Sequence, residues 1–382
     1  MLRIHIENLL GEAMKNTNNW KKAPLADFIQ FKNGKKRPDN TGIYPVYGGN
    51  GILGYSDLAN QENCVIIGRV GAYCGSVYYE PAQHWVSDNA ISAVNKNNSD
   101  IIFDYYLLKY LDLNNRHIGT SQPLLTQEIL NSIIFNWPTF SEQVIIGKIL
   151  RAIDDKISNN LNTNHHLEQV AQAIFKSWFV DFEPWGGIMP DDWKKVELGD
   201  IANITMGQSP NGESYNEDGI GTVFYQGRAE FGSRFPTRRL FTTEPKRMAK
   251  KNDVLMSVRA PVGDINIAYE TCCIGRGLAA IQSKYNFNSF ILYTMYSLKQ
   301  HLNMFNSEGT VFGSINKNDT ANLPVLMPSD KVINQFEKLI HPIDAMIESN
   351  FLECCNLTTL RDTLLPRLMS GELRVSDTEV GK

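Results

Sequence analysis

Apolar residues are spaced in two alternating ways along this chain, and the alternation occurs twice. Strand-length runs such as CVIIG, within NCVIIGRVGAYCGSVYYE, and VLMSV, within NDVLMSVRAPVGDINIAYE, lie between Gly-containing turns and predict compact sheet-containing regions. The segments FDYYLLKYL and SFILYTMYSLKQHL read as helices inside those regions. Each region then gives way to a heptad pattern. In the first copy Leu150, Ile157, Asn164, Ala171 and Trp178 fall at position a, and Ile146, Ile153, Asn160, Leu167 and Ile174 at position d. In the second, Ile340, Ile347, Cys354, Arg361 and Leu368 take a, while Ile343, Asn350, Leu357 and Leu364 take d. Each pattern predicts a long helix with a coiled-coil seam interrupted near its middle. A span of about 40 residues rising about 1.5 Å each makes a rod of roughly 60 Å.

Local signals set the ends of these helices. Ser141 in PTFSEQ and Ser329 in PSDKV are candidate N-caps, with acids in the first turn. Pro342 and Pro366 lie inside the second helix and are expected to kink or restart it. Asn160 and Asn350 share one d position, where a buried Asn lowers stability and fixes register.

The chain repeats itself. IDDKISNN, residues 153–160, returns as IDAMIESN, residues 343–350, at an offset of 190. WKKAPLADFIQFKNGKKRP from Trp20 returns as WKKVELGDIANITMGQSP from Trp193 at an offset of 173, with Leu25/Leu198, Asp27/Asp200 and Gly34/Gly207 aligned. Two copies with a long period indicate duplication, not a solenoid. The two IDxxIxxN stretches are expected to face each other in an antiparallel spacer with near-two-fold symmetry.

Composition narrows the class. At 42% hydrophobic and 20% charged residues the chain belongs with folded globular proteins. No run approaches the roughly 18 apolar residues of a membrane helix, and MLRIHIENLLGE does not read as a signal peptide. The six Cys form no CxxC, so they are expected to be buried thiols in a reducing cytoplasm. The formal charge of −4 hides two basic clusters, FKNGKKRP and GRAEFGSRFPTRRLF. Signatures of catalysis are absent: there is no Walker A, no Pro-Pro and no HExxH. Gly49–Gly54 spells GxGxxG, but the polar YSDLANQENC after it leads to a strand, not the helix a dinucleotide fingerprint needs. His165 and His166 are adjacent on a helix and read as surface residues.

A globule–rod–globule–rod plan suits a spacer with a reader at each end, because DNA presents the same groove about every 34 Å. LTTLRDTLLPRLMSGELRV, residues 357–375, closely resembles the C-terminal signature of the specificity subunit of type I restriction–modification systems, the HsdS family. PVYGGNGILGYSD with IIGRVGAYCGSVYY, and FPTRRL with NDVLMSVRAPVGDINIA and GRGLAAI, resemble two versions of its target recognition domain. The resemblance runs over Trp20–Val375. It implies an α+β fold of two target recognition domains with small sheets, joined by two long antiparallel coiled-coil helices. Residues 1–19 form an N-terminal extension, 20–138 the first domain, 139–185 the central helix, 186–328 the second domain, 329–375 the C-terminal helix and 376–382 a tail. The family implies a non-catalytic subunit for phage defence. It reads bipartite double-stranded DNA and joins two methyltransferase and two restriction subunits. S-adenosylmethionine, ATP and Mg belong to those partners and none to this chain. From the residues alone, an enzyme with an unrecognised site and a coiled-coil protein-interaction module remain alternatives. So does the specificity subunit of a related restriction class with a fused nuclease–methyltransferase partner.

Candidate DNA contacts are Arg, Lys, Asn, Gln and aromatic residues in Gly-rich loops. In the first domain these are Lys35, Lys36, Arg37, Tyr47, Asn50, Arg69, Tyr73 and Gln122. In the second they are Gln208, Tyr215, Gln226, Arg228, Arg234, Arg259, Ser314 and Lys317. Arg69 and Arg259 each follow a buried-strand pattern in corresponding places. Met256, Trp20 and Trp193 are read as core residues.

Overall fold

The computed structural model describes residues 20–96, 98–119, 122–259, 261–306 and 313–375. The extension and tail set apart at the two ends of the sequence lie outside them. The chain divides into two compact units, Met1–Asn159 with Glu353–Lys382, and Asn160–Leu352.

Unit 1 contains β1 (Lys21–Pro24), β2 (Ile29–Asn33), β3 (Tyr44–Gly48), β4 (Gly51–Ser56), β5 (Cys64–Gly68), β6 (Val77–Glu80), β7 (Trp85–Val86) and β8 (Ala90–Asn95). They are followed by α1 (Ile101–Tyr110), α2 (Gln127–Ser132), β9 (Ile134–Trp137) and the first half of α3 (Phe140–Phe179). The main sheet has the order β2-β8-β5-β6, beside a three-stranded sheet β4-β3-β7 and a pair β1-β9. Strand β5 is buried on both faces because its residues alternate between two cores. Val65 and Ile67 join the core built on α1 and the long helices, whereas Cys64 and Ile66 join the core under β3 and β7.

Unit 2 repeats the plan. It contains the second half of α3, then β10 (Lys194–Glu197), α4 (Leu198–Ile201), β11 (Ala202–Met206), β12 (Tyr215–Asn216), β13 (Thr222–Tyr225), β14 (Leu240–Thr242) and β15 (Met248–Ala249). Next come β16 (Val254–Val258), β17 (Val262–Ile267), β18 (Cys272–Ile274) and β19 (Leu278–Ser283). The helices α5 (Asn288–Ser297), α6 (Lys299–Met304) and α7 (Lys317–Ala321), then β20 (Pro324–Met327) and the first half of α8 (Asp330–Ser370), complete the order; the second half of α8 belongs to unit 1. The order β11-β19-β16-β17 matches the main sheet of unit 1 strand for strand, and β10-β20 matches β1-β9. Alternation recurs too: Val254, Met256 and Val258 enter the large core and Leu255 the smaller one. Met256 and Trp193 are core residues, and Trp20 is half-buried, held by Glu142 at 3.0 Å and by Arg374 over its ring at 4.3 Å.

Heptad residues pack into the core of each unit. In unit 1 Ile146, Leu150, Ile153 and Ile157 share one core with Leu357, Leu364 and Leu368. In unit 2 Leu167, Ile174 and Trp178 pack with Ile340, Ile343 and Ile347. Antiparallel pairing follows from the partners: Cys354 reaches the Ile157 carbonyl in unit 1, and Asn164 the Ile347 carbonyl in unit 2.

Four expectations are corrected. Thr139, not Ser141, caps α3: its hydroxyl accepts from the Glu142 N–H at 3.4 Å while the Glu142 carboxylate accepts from the Thr139 N–H at 2.9 Å. Helix α8 is not restarted at Pro342 or Pro366; both are exposed, so the carbonyls whose bonds they forgo need no protein donor. The IDxxIxxN residues have other partners within their own units than the expected facing copy: in unit 1 Asp154, Lys156 and Ile157 meet Arg361, Glu353 and Cys354, and in unit 2 Asn350 meets Asn164. Cys355 is exposed, unlike the other five cysteines, because position 355 lies off the heptad seam.

Candidate nucleic-acid interface

Loops gather at one end of the main sheet in unit 1. The Gly34 N–H donates to the Ala90 carbonyl at 2.9 Å and the Arg69 N–H to the Asn89 carbonyl at 2.9 Å, so the segments leaving β2 and β5 flank the turn that enters β8. The Lys35 N–H reaches the Val86 carbonyl at 3.0 Å. Glycine is needed at position 34 because a Cβ there would lie 1.9 Å from the Ser87 carbonyl oxygen. Gly49 and Asn50 form the two-residue turn between β3 and β4, and a Cβ on Gly49 would stand 3.6 Å from that of Tyr73. The Gly71 N–H donates to the Pro123 carbonyl at 3.0 Å, which brings in Gln122.

Lys35, Lys36, Arg37, Asn50, Arg69, Tyr73 and Gln122 are thus collected from four loops. The side chains of Lys35, Lys36, Asn50, Tyr73 and Gln122 are exposed and have no hydrogen-bond partner among the described residues. Arg37 is held by the Leu53 carbonyl at 3.2 Å and Arg69 by the Asp88 carbonyl at 3.4 Å. Tyr47 does not belong with them. It is 7% exposed on the inner face of β3 and donates its hydroxyl to Glu80 at 2.8 Å; burial and that carboxylate push its pKa up.

Unit 2 builds the same platform with other side chains. Gly207 donates to Leu278 at 2.9 Å, and a Cβ on it would lie 2.1 Å from the Gly275 oxygen. Gln208 donates from its backbone to Ile274 at 2.9 Å, and Gly277 to Gln226 at 3.3 Å. Arg259 bridges Ser314 through the backbone, three residues before Lys317 at the start of α7. Gln208, Gln226, Arg259, Ser314 and Lys317 are exposed, with no side-chain partner among the described residues.

Three other candidates in unit 2 are engaged within the fold. Tyr215 is half-buried, donates to the Pro210 carbonyl at 3.1 Å and lies against Phe224. Arg228 pairs with Asp264, which Lys299 also holds at 2.5 Å; the two cations outweigh burial and keep that carboxyl below its ordinary pKa. Arg228, Asp264 and Lys299 line a pocket of about 700 Å³ with Gln172, Asn266 and Tyr296. Arg234 is a correction. Its side chain is 3% exposed and bound to Asp344 at 2.5 Å, Tyr293 at 3.2 Å and Glu168 at 3.4 Å. A basic run in the sequence does not distinguish an internal guanidinium from a surface one.

The expected correspondence of Arg69 and Arg259 is also shifted by one residue. The Arg69 carbonyl accepts from Leu125 as the Val258 carbonyl accepts from Ile315, so Arg69 occupies the place of Val258, and Arg259 that of Val70. Two residues on these platforms were missed. Asp88 and Arg276 are exposed at equivalent positions of the turns entering β8 and β19. The signal for Arg276 was its setting between Gly275 and Gly277.

Among the described residues, no group of three or more His, Cys, Asp and Glu could hold a metal ion, and no helix is long and apolar enough to cross a membrane.

Comparison with known proteins bears on this geometry. A family model described as the type I restriction modification DNA specificity domain matches residues 17–169 and 190–350. The putative type I restriction enzyme MjaX specificity subunit of Methanocaldococcus jannaschii is 33% identical over 342 residues, covering 85% of this chain and 79% of that protein. The type I restriction enzyme HindI specificity subunit of Haemophilus influenzae is 24% identical over 327 residues, covering 66% of this chain and 71% of that one. The crystal structure of the S subunit of a type I system from M. genitalium superposes with a TM-score of 0.70 at 20% identity, covering 93% of this chain and 97% of that structure.

Proposed function

This chain belongs to the family of type I restriction–modification DNA specificity subunits, and from that membership we propose how its two units divide the work. It is a non-catalytic specificity subunit. Each unit reads one half of an asymmetric, bipartite double-stranded DNA site. The contacts come from the sheet-end platforms: Lys35, Lys36, Arg37, Asn50, Arg69, Tyr73 and Gln122 in unit 1, and Gln208, Gln226, Arg259, Ser314 and Lys317 in unit 2. Cations there neutralise phosphates, while Asn, Gln and Arg read base edges.

One observation carries this reading. The two platforms share a backbone, down to Gly34 and Gly207 pressed on the carbonyls of Ser87 and Gly275, yet present unlike side chains. A common scaffold with divergent tips is what two related readers of different sequences require. The long helices α3 and α8 set the spacing between half-sites and dock two methyltransferase subunits, and the complex also takes up two restriction subunits. S-adenosylmethionine, ATP and Mg act in those partners, and the complex works in the cytoplasm.

The test is reconstitution with the partner methyltransferase, followed by long-read mapping of modified adenines. An asymmetric site with two separated halves is expected. A single continuous palindrome, or no modified site with any partner, would count against the reading. Exchange of residues 20–138 for the corresponding domain of a relative should change one half-site only.

A further inference from the structure

In each unit the strand that runs through the middle of the main sheet is entered by a four-residue turn. In unit 1 it is Ser87-Asp88-Asn89-Ala90, closed by the Ala90 N–H on the Ser87 carbonyl at 3.0 Å. In unit 2 it is Gly275-Arg276-Gly277-Leu278, closed by Leu278 on Gly275 at 3.0 Å. The same three supports hold both turns. The first residue donates to the carbonyl of Tyr47 or Tyr225, at 2.9 and 2.8 Å. The third accepts from the backbone of Arg69 or Val258, at 2.9 Å in each case. Underneath, Gly34 or Gly207 lies so close that a Cβ would collide with the first carbonyl of the turn. A backbone held on three sides offers its second residue in a fixed direction at little entropic cost.

That second residue is Asp88 in unit 1 and Arg276 in unit 2. Both are exposed, and neither side chain has a hydrogen-bond or ion-pair partner among the described residues. The vacancy is pointed in unit 1, where Lys35 and Lys36 lie on the adjoining loop and Arg69 donates to the Asp88 carbonyl instead of its carboxylate. Arg276 carries a planar guanidinium with no hydrogen-bond or ion-pair partner among the described residues, and its backbone N–H donates to the Ser209 hydroxyl at 3.3 Å.

We propose that this turn is the base-reading tip of each unit, with Arg276 donating to O6 and N7 of a guanine in one half-site and Asp88 accepting from the N4 amino group of a cytosine in the other. The chemistry follows from the exposed edges of the major groove, where a guanidinium matches the two acceptors of guanine and a carboxylate matches the cytosine amino group. The charge reversal at one shared position explains how one scaffold separates two half-sites. This rests on the DNA-recognition reading above.

The test uses the full chain in complex with its methyltransferase subunits. The modified sequence is mapped for the native complex, for Arg276→Gln and for Asp88→Asn, and binding is measured against duplexes with each base pair of the native site replaced in turn. Arg276→Gln is expected to lose discrimination at one guanine of one half-site by roughly ten- to a hundredfold, with the other half unchanged. Asp88→Asn is expected to relax one cytosine of the opposite half. Variants that keep the native sequence preference at every position overturn the proposal, as do variants that weaken binding equally at every position, which marks a phosphate contact. Those outcomes leave the DNA-recognition reading intact; that reading fails only if the native complex modifies no bipartite site. Circular dichroism and melting of each variant separate lost reading from lost folding, since both substitutions are at exposed positions.

Discussion

Arg234 places its Nη2 2.5 Å from Oδ1 of Asp344, and the arginine side chain is only 3% exposed. Asp344 also accepts from Tyr293 at 2.8 Å, and Glu168 stands 3.4 Å from the same guanidinium. Burial works against the charge on Arg234, and Tyr293 and Asp344 more than offset it, so its pKa is raised. In unit 1 the residue at the same place in the repeat, Asp154, accepts from Tyr106 at 2.7 Å but takes its guanidinium from Arg361 of α8 at 2.8 Å. The repeat position of Arg361 is Ala171, which is fully buried. Unit 1 therefore draws this charge from a long helix, and unit 2 from its globular part.

Arg234→Ala strands Asp344 and Glu168 without their cation and is expected to destabilise unit 2 by about 3–5 kcal/mol. Adding Ala171→Arg supplies a guanidinium from the place Arg361 uses and is expected to recover a large part of the loss. Urea unfolding of the wild type, the single variant and the double variant checks this. Equal instability of the single and double variants would show that packing, not charge, holds the joint.

The Asn350 amide donates to Asn164 at 2.8 Å, and the Asn164 amide donates to the Ile347 carbonyl at 3.0 Å. Replacing either Asn by Leu leaves a polar group with no partner and is expected to cost about 1–3 kcal/mol. The double Asn164→Leu/Asn350→Leu chain is expected to be more stable than the sum of the singles predicts. A double-mutant cycle by chemical denaturation measures the coupling.

Burial pushes the Glu337 carboxyl up from 4.5 to about 7, although its oxygen accepts from the Phe290 N–H at 2.8 Å. The folded chain then holds a proton that the unfolded chain releases, so stability falls as pH rises from about 4.5 to 7 and levels off above. Glu337→Gln keeps the acceptor and removes the ionisation. It is expected to flatten that slope and stabilise the protein at pH 8 by at most roughly 3 kcal/mol. Thermal melting across pH 5–8 reads both effects.

A Cβ at position 207 would lie 2.1 Å from the Gly275 oxygen, whereas one at Gly212 would meet nothing within 4 Å. Gly207→Ala is expected to push the Gly275–Leu278 turn off its support and weaken reading of one half-site, while Gly212→Ala leaves it unchanged. Amide hydrogen exchange at Leu278 and mapped methylation of both variants give the comparison.

Much of the architecture was legible because it rests on spacing. Strand-length apolar runs between Gly turns placed β5 and β16, the heptads placed Ile146, Leu150, Ile340 and Ile347, and the duplication announced that one plan serves both units. The gathering of the candidates was legible only in part: Lys35, Lys36, Asn50, Gln208, Gln226 and Arg259 come to the sheet ends. It failed at Tyr47 and Arg234, where residue types suited to DNA face inward. It also missed Asp88, which no local pattern distinguishes from any other acidic loop residue.

By itself, then, the sequence determined the repeated order of elements, their faces and the helix seam, because those follow from the periodicity of burial along one strand or one helix. Only the tertiary structure decided which charges are internal, that Asp154 takes Arg361 and Asn350 takes Asn164 as partners, and that Arg69 matches Val258. Those are properties of partners distant in the chain, set by hydrogen-bond register and close backbone approach that no local spacing encodes.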